Sequence, residues 1–362
     1  MSSRNDRFLF TRANPDDAQE ILEILEENAF PGGVSLLYTR RPDPYLSYLS
    51  EGDETILVVC RDLEKGKIAG LGVCSIRELY VDGQPTKVGY LEGLRVRAKY
   101  RTQIKRIPEG YNYIFEQGRN RGVKYYLTTI LEENIVAQKF LEERRSYMPD
   151  YVFLVKYSVL TYRGQRKAKL PKGYLFRPAI ESDFPSLVKL LNDYGCKNQF
   201  HPVVTEDLFR GKYPDLTIDN FYVLLSDDEV VACGAIWNQR SFKQYIVKSY
   251  SGIFKLLSFG SRLFPFIALP PLGGTVALNM LAFCGVKDAD GGYFEVFLKK
   301  ILAGVPRHEY ISIGFANNNP LLETARGIKH ILYKSRIYLV DPDKTGVSEL
   351  GDAPMHIECS TL

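Results

Sequence analysis

Two stretches of the chain share one pattern of apolar and polar positions, and each predicts a short strand that leads into an amphipathic helix. In the first stretch, FTRANPDDAQEILEILEEN from Phe10, apolar side chains return at the three- and four-residue spacing of a helix face. Asn14 followed by Pro15 is typical of a helix start, because asparagine caps free N–H groups and proline fits the first turn. The second stretch, FRPAIESDFPSLVKLLND from Phe176, repeats this pattern.

The repeat continues downstream. ETILVVCRDLEKGKIAGLGVCSIREL and NFYVLLSDDEVVACGAIWN each predict a strand, a tight turn and a second strand, with Lys-Gly and Asp-Asp pairs in the turns. YYLTTILEENIVAQKFLEE and EYISIGFANNNPLLETARG each predict a buried strand followed by a helix, with Asn134 and Asn319 in equivalent positions. The final strands are DYVFLVKYSVLTY and SRIYLVD. We therefore predict two similar units in tandem.

Composition shifts mark the unit boundaries. Residues 1–162 form the predicted first unit and residues 174–343 the second, with the basic stretch RGQRKAKLPKG at 163–173 as the linker. Residues 240–274 interrupt the second unit as an insertion, and the polar tail at 344–362 is predicted to be irregular. Each unit is long enough to bury its own core.

Overall composition excludes several protein classes. With 362 residues, 45% apolar and 25% charged, the chain resembles a folded globular protein. Its 47 basic and 43 acidic side chains leave a net charge of +4, which does not by itself indicate a nucleic-acid-binding protein. The six cysteines form no CxxC pair and the four histidines no HExxH motif, so we expect no metal site and no disulfide framework. The apolar setting of most cysteines and the lack of a signal-peptide core indicate a cytoplasmic protein.

One long uncharged stretch, from Leu263 to Val286, has the length of a membrane-spanning helix. Three prolines and a Gly-Gly pair interrupt it, and proline breaks a helix interior. The pattern therefore favours a loop followed by a buried strand, TVALNMLAFC, and no transmembrane segment is predicted.

The order strand, helix, hairpin, long strand, helix, strand, helix, strand, present twice, resembles the GNAT superfamily of N-acetyltransferases. YLEGLRVRAKYR resembles its fourth strand running into the acyl-CoA loop, whose usual text is V-x-P-x-Y-R-G-x-G-x-G. EENIVAQKFLEE resembles the helix after its fifth strand. The resemblance implies an α/β (α+β) fold with two tandem GNAT-like units, each a mixed, mainly antiparallel sheet flanked by helices. It also implies acetyl-CoA as a co-substrate of the first unit.

The loop that would bind the CoA phosphates departs from the family pattern, because Ile104 and Arg106 stand where two glycines are usual. By resemblance, the loop consists of Arg101, Thr102, Gln103, Ile104, Lys105 and Arg106. Six basic residues and no acid lie between positions 95 and 106, which suits a polyanion. Three interpretations stay open: the side chains block the anion, the cations replace the missing backbone contacts, or the segment is an ordinary solvated basic face.

The resemblance assigns the rest of the cofactor site to one strand and one helix start. Leu94, Arg95 and Val96 would donate and accept backbone hydrogen bonds to the pantetheine arm, and Asn134 would hold that arm near the acyl group. Asparagine at this position is equally explained as a plain helix cap.

The attack of an amine on a thioester needs a proton acceptor, and Glu92 is the candidate base. Strand alternation places it on the same face as Leu94, and a partly apolar setting would raise its pKa. The alternative is that Glu92 is a buried ion-pair partner. The family's usual acid is a tyrosine, but Leu141 occupies that position, so Tyr147 is the candidate acid.

The second unit departs further from the family pattern than the first. Gly291-Gly292 could form a phosphate-binding turn, but Asp288 and Asp290 would repel an anion. The insertion interleaves basic and aromatic side chains between Arg240 and Arg262, a pattern that suits a membrane surface, single-stranded nucleic acid or an acidic substrate. We favour the interpretation that this segment folds back over its own unit.

Taken together, the sequence predicts an N-acetyltransferase that transfers an acyl group from acetyl-CoA directly to an amine of a small molecule or peptide. No Ser-His or Cys-His arrangement indicates a covalent intermediate. One alternative on the same fold is a tRNA-dependent aminoacyl or peptidyl transferase, with a nucleic acid as the less favoured partner. Another is a non-catalytic, degenerate GNAT binding module.

Overall fold

A computed structural model describes residues 7–27, 29, 32–101, 107–165, 168–252, 255, 269–345 and 350–362. The first unit contains β1 (Phe8–Arg12), α1 (Ala18–Glu26), β2 (Val34–Thr39), α2 (Pro44–Leu49), β3 (Glu54–Asp62), β4 (Lys67–Val81), β5 (Gln84–Val96), α3 (Ile107–Arg119), β6 (Tyr125–Leu131), α4 (Ile135–Glu142) and β7 (Asp150–Arg163). The second contains β8 (Tyr174–Pro178), α5 (Phe184–Gly195), β9 (Arg210–Tyr213), β10 (Leu216–Thr217), β11 (Phe221–Ser226), β12 (Glu229–Trp237), β13 (Gln244–Tyr250), β14 (Leu278–Val286), α6 (Gly291–Gly304), β15 (Tyr310–Ala316), α7 (Leu321–Arg326) and β16 (Ile331–Asp341).

The predicted helix start at Asn14 is confirmed. The Asn14 side chain accepts a hydrogen bond from the Asp16 N–H, and the Asp17 carboxylate accepts one from the Asn14 N–H in return. This reciprocal cap satisfies donors that a helix start otherwise leaves free. The apolar positions of α1 are buried, as their spacing predicts.

Twelve strands form one sheet in the order β1-β3-β4-β5-β6-β16-β7-β15-β14-β12-β11-β8. Among the strands described, β5 with β6 and β14 with β15 are the parallel pairs, and the other neighbours in this sheet are antiparallel. The predicted fold class, a mixed and mainly antiparallel sheet flanked by helices, is therefore confirmed. The two units, however, share a single sheet.

The sheet is continuous because the units exchange their last strands. The second unit's β16 pairs with β6 of the first unit, from Leu127 to Leu131, while β7 of the first unit pairs with β15 of the second. The two exchanged strands also pair with each other along their length. The predicted boundary near residue 163 separates the two units along the sequence. In the structure, however, β7, the strand just before this boundary, lies at the centre of the shared sheet.

Helices cover both faces of the sheet, as strand alternation requires. Ile56 and Val58 of β3 pack in one cluster with α3, whereas Leu57 and Val59 pack on the opposite face in a cluster with α1. The second unit repeats this arrangement, with α5 and α6 packed in two separate clusters.

The insertion in the second unit pairs with the first unit. Strand β13 is antiparallel to β2, from Gln244 opposite Thr39 to Tyr250 opposite Val34. The Gln244 amide also exchanges two hydrogen bonds with the backbone of Arg41, at 2.8 and 2.9 Å. The expectation that this segment folds back over its own unit is therefore wrong for β13, because β2 offers it a strand edge. Residues 253, 254 and 256–268 of the insertion lie outside the described residues.

The uncharged stretch ends as predicted in a buried strand, β14. Across the ranges that the structure describes, no helix is both long enough and apolar enough to span a membrane.

The tail at 350–362 is irregular apart from a 3-10 turn at Cys359–Thr361, and it packs between the units. The Arg77 guanidinium, from β4, donates to the carbonyl oxygen of Thr361 at 2.6 Å. On the other side, the Gln199 N–H, just after α5, donates to the carbonyl oxygen of Pro354 at 2.8 Å.

We expect neither unit to fold alone, because each lacks the strand that the other supplies. Residues 1–165 produced by themselves should aggregate or lack a cooperative unfolding transition, since β6 and β7 would expose unpaired edges. Residues 1–165 and 166–362 produced together should form a soluble complex. Co-purification through a tag on one half, followed by thermal unfolding, measures this. A soluble first half with its own cooperative transition would contradict it.

Candidate functional site

A cavity of about 470 Å³ opens where β5 and β6 diverge. The parallel pairing of these two described strands ends at Leu91 and Thr128. Beyond that point, residues 92–96 of β5 and 129–131 of β6 line opposite walls. Because an unpaired strand edge presents N–H and C=O groups, an extended ligand could pair with β5 there.

A β-bulge turns β5 at the cavity. Leu71 faces Arg95 and Val73 faces Glu92, so two residues of β5 lie opposite one residue of β4. The bulge residue Gly93 has a φ of 63°, and a Cβ there would lie 3.0 Å from the Tyr48 hydroxyl. Glycine is thus required both by the backbone conformation and by the neighbouring ring.

The structure brings the predicted pantetheine-binding residues to this cavity. Leu94, Arg95, Val96 and Asn134 all line it. The Asn134 side chain also accepts a hydrogen bond from the Ala137 N–H at 3.1 Å, so it caps α4 while it faces the cavity. The helix-cap explanation is therefore correct, and the cofactor contacts of these four residues stay predictions.

The predicted phosphate loop is only partly described. Arg101 is exposed and lies outside the cavity lining. Arg97, one of the six basic residues, binds the carboxylates of Glu23 and Glu27 at 3.0 and 2.9 Å, so its charge is engaged within the fold. The remaining residues of the predicted loop lie outside the described residues; they are Thr102, Gln103, Ile104, Lys105 and Arg106.

Glu92 lines the cavity with a side chain that is only 10% exposed. One carboxylate oxygen accepts from the Ser75 hydroxyl at 2.8 Å, and the other lies 3.2 Å from the Arg40 guanidinium. Burial raises the pKa of Glu92, repulsion from Glu51 adds to this, and nearby cations, chiefly Arg40, act in the opposite direction. Glu92 is thus an ion-pair partner that also faces the cavity, and its role as the base stays a prediction.

Arg40 belongs to a buried ion cluster that joins the units. It is fully buried and lies 2.9 Å from Glu51, which is also 2.7 Å from the ammonium group of Lys243 in the second unit. Burial alone would raise the pKa of Glu51, but the two cations outweigh it and lower that pKa to about 2. Glu92 has a single, longer contact with Arg40, so burial prevails there and its pKa rises.

The predicted acid, Tyr147, does not reach the cavity. It follows the end of α4, is 63% exposed and is not a lining residue, whereas Leu141 does line the cavity. Other tyrosines do reach it, and the hydroxyl of Tyr48 lies beside the bulge at Gly93. Burial raises the pKa of Tyr48 to about 12, so this hydroxyl stays protonated at neutral pH.

Sequence reasoning missed Tyr48 because the helix that carries it, α2, was not predicted. A signal was present: Asp43 followed by Pro44 is a helix-start pair, and the Asp43 carboxylate caps the Leu46 N–H at 3.0 Å. The ring of Tyr48 is then held by the Arg40 guanidinium, 3.9 Å from its centroid.

The second unit has the same bulge, but its own side chains cover the position that corresponds to the first unit's cavity. Phe283, with a φ of 47°, occupies the position that corresponds to Gly93. Its N–H donates at 2.8 Å to the buried carboxylate of Glu358 from the tail. At the Gly291-Gly292 turn, Asp290 caps α6 through the Tyr293 N–H. The chain's own acidic side chains therefore accept from these two N–H groups.

Residues 18–147 match the model of the Acetyltransferase (GNAT) family. This match covers most of the first unit. Because the second unit repeats the strand order and the bulge, the prediction of two tandem GNAT-like units is confirmed.

Solved structures of GNAT-like proteins share the fold across nearly the whole chain. N-myristoyltransferase of Saccharomyces cerevisiae with bound myristoyl-CoA is 10% identical, covers 98% of this chain and 90% of its own, and gives a TM-score of 0.60. GCN5-related N-acetyltransferases from Anabaena variabilis and Sphaerobacter thermophilus are 11% and 13% identical, with TM-scores of 0.55 and 0.54. They cover 93% and 96% of this chain, and 73% and 99% of their own. No curated protein sequence shows significant similarity.

We expect Gly93→Ala to destabilise the protein more than Gly66→Ala does. Both glycines have a φ near +60°, but nothing lies within 4 Å of a Cβ at Gly66, so that variant measures backbone strain alone. It should cost about 1 kcal/mol, and Gly93→Ala about 2–3 kcal/mol because its Cβ also meets Tyr48. Urea unfolding measures both. Adding Tyr48→Phe should recover part of the extra loss; equal costs for the two alanine variants would contradict the contact.

Proposed function

We propose that the first unit transfers an acyl group from an acyl-CoA thioester to an amine. The observation that supports this most directly is the cavity, which begins at an unpaired strand edge and contains a buried carboxylate of raised pKa, Glu92. Acetyl-CoA is the simplest donor of this class, and the family match of residues 18–147 supports the same reaction type.

The donor would lie along β5. The amides of a pantetheine arm can pair with the strand edge at Leu94, Arg95 and Val96, as a peptide does when it adds to a sheet. Arg95 and Arg101 supply positive charge for the CoA phosphates near this end of β5. Asn134 faces the same wall from the start of α4.

The reaction needs two proton transfers. The amine nitrogen forms a bond to the thioester carbon, the carbon–sulfur bond breaks, and the ammonium proton passes to the Glu92 carboxylate. The CoA thiolate takes a proton from the Tyr48 hydroxyl, and the proton on Glu92 passes through water to Tyr48, so that both side chains return to their starting states. The products are an amide and the free CoA thiol, and no covalent enzyme intermediate is needed.

The amine would enter from the side of the second unit. A small pocket of about 40 Å³ adjoins the main cavity and shares Tyr245 and Leu362 with it. Arg240 and Lys243 line this pocket, both from the segment that leads into β13. Such a pocket has room for the amine end of an acceptor, and the rest of a small molecule or peptide would lie outside it.

We expect Glu92→Gln to abolish transfer without abolishing donor binding. Loss of a general base should lower the rate by about 10²–10⁴, while acyl-CoA affinity should change by less than about threefold. Release of the CoA thiol, in the presence of a panel of peptides and polyamines with free amines, measures the rate. Calorimetric titration with acetyl-CoA measures binding. Glu116→Gln, on the exposed face of α3, is the matched control.

Two outcomes would overturn this proposal. Absence of binding by the wild-type protein at millimolar acyl-CoA would favour the non-catalytic module. Salt-sensitive binding of charged tRNA in place of acyl-CoA would favour the tRNA-dependent transferase.

The pH dependence of acyl transfer should reflect the charges of the buried ion cluster around Glu92. Glu92 acts as a carboxylate, so kcat/KM should fall as the pH drops through its pKa, which lies above the ordinary value of 4.5. Lys243 lowers that pKa, so Lys243→Met should move the acidic limb to higher pH by about 0.5–1 unit. Lys243→Arg keeps the charge and should leave the limb in place. Identical pH profiles for the methionine variant and the wild type would show that Lys243 does not act on the base.

A further inference from the structure

The cavity also extends beneath α3, on the face of the sheet opposite to Glu92. Val58 and Leu91 on the sheet face Tyr111 and Ile114 of α3 in one apolar cluster, and all four line the cavity. The cavity therefore continues into a space between the sheet and α3, which we call the α3 limb. An acetyl-CoA whose thioester lies beside Glu92 would leave this limb empty.

The α3 limb is chemically apolar. Its two tyrosine hydroxyls, of Tyr111 and Tyr151, lie 2.6 Å apart and hydrogen-bond to each other, so each already has a partner within the protein. Phe10 and Cys60 extend the apolar lining toward β1. Water is poorly stabilised in such a space, because it needs polar hydrogen-bond partners. An alkyl chain, in contrast, would make dispersion contacts with the lining side chains that an empty space cannot provide.

Gly72 keeps the α3 limb open. Its φ is ordinary, and a Cβ there would lie 3.7 Å from the nearest atom, Ile114 Cδ1, so the fold tolerates a side chain that would point into the limb. The corresponding glycine of the second unit, Gly234, is covered: a Cβ would lie 3.2 Å from Leu281 and 3.4 Å from Phe297 of α6. The same position is thus filled in one unit and left open in the other.

We propose that the donor carries a medium- or long-chain acyl group whose alkyl chain lies in the α3 limb, beneath α3 and against Gly72. This inference rests on the proposed acyl-transfer function and specifies its donor. The thioester lies at Glu92, on the face of the sheet opposite to α3, and the chain passes between the diverging strands β5 and β6 to the apolar lining at Val58. Each methylene that leaves water for such a site can tighten binding by up to about fourfold.

The test compares donors of different chain length on two variants. Calorimetric titration of the full-length wild-type protein should give octanoyl-CoA at least about tenfold tighter binding than acetyl-CoA. In Gly72→Leu the larger side chain fills the limb, so the octanoyl advantage should disappear while acetyl-CoA affinity stays within about twofold. Gly304→Leu, at the exposed end of α6 with nothing within 4 Å, is the matched control and should behave as the wild type does.

Each other outcome decides a separate point. Absence of binding by every acyl-CoA would overturn the proposed function itself. Binding of acetyl-CoA with no gain for octanoyl-CoA would overturn the chain-length inference alone, and equal losses of both donors in Gly72→Leu would place the chain outside the α3 limb. If Gly72→Leu lacks a cooperative thermal transition, Gly72→Ala adds a single carbon at an ordinary contact distance and should reduce the octanoyl advantage selectively.

Discussion

The exchange of β7 and β16 between the units is the constraint on which the site depends. Beyond Thr128, β6 has left β5 but keeps its pairing with β16, through Thr129 opposite Ile337 to Leu131 opposite Ser335. A strand that belongs to the second unit therefore holds β6 away from β5. The gap that results is the cavity, so the first unit's site exists because the second unit completes its sheet.

In each unit two parallel strands diverge, but the space beside them stays open in the first unit and is covered in the second. Pairing of β14 with β15 ends at Met280 and Ser312, and a bulge follows at Phe283, as it does in the first unit at Gly93. In the second unit, however, Glu358 from the tail accepts the bulge N–H, and α6 fills the space under the sheet. The tandem fold thus has two equivalent places, and the chain's own side chains cover one of them.

Local pattern accounts for most of the fold. The helix start at Asn14, the hairpins and the buried strand β14 were all predictable, because caps, turn residues and apolar spacing are local properties. The strand exchange was not, since β7 and β16 have the same apolar pattern whichever unit they pair with. The pairing of β13 with β2 was missed for the same reason, because the sequence of an edge strand does not specify which other strand it will pair with.

The residues of the candidate site also divide into those that the sequence could place and those that it could not. Glu92, Leu94 and Asn134 could be placed by their motifs, even though the bulge at Gly93 interrupts the strict alternation on which the placement of Glu92 rested. Tyr48 could have been found from its helix start. Arg40 and Lys243 could not, because their roles arise from contacts with side chains on other segments: Arg40 reaches Glu92, 52 positions away, and Lys243 reaches Glu51 from the second unit.

The buried ion cluster shows how the two units act on one carboxylate. Charges that leave water must be paired, and removing one partner of a buried pair costs about 3–5 kcal/mol. Lys243 and Arg40 both contact Glu51, and of these two cations only Arg40 also contacts Glu92. The position of the insertion, which carries Lys243, therefore sets the charge balance around the candidate base. When Glu92 is ionised, these two cations face two anions and the cluster is neutral. When Glu92 takes up a proton, one cation is left in excess, which favours release of that proton. Contacts from the second unit thus help Glu92 return to the state in which it can accept the next proton.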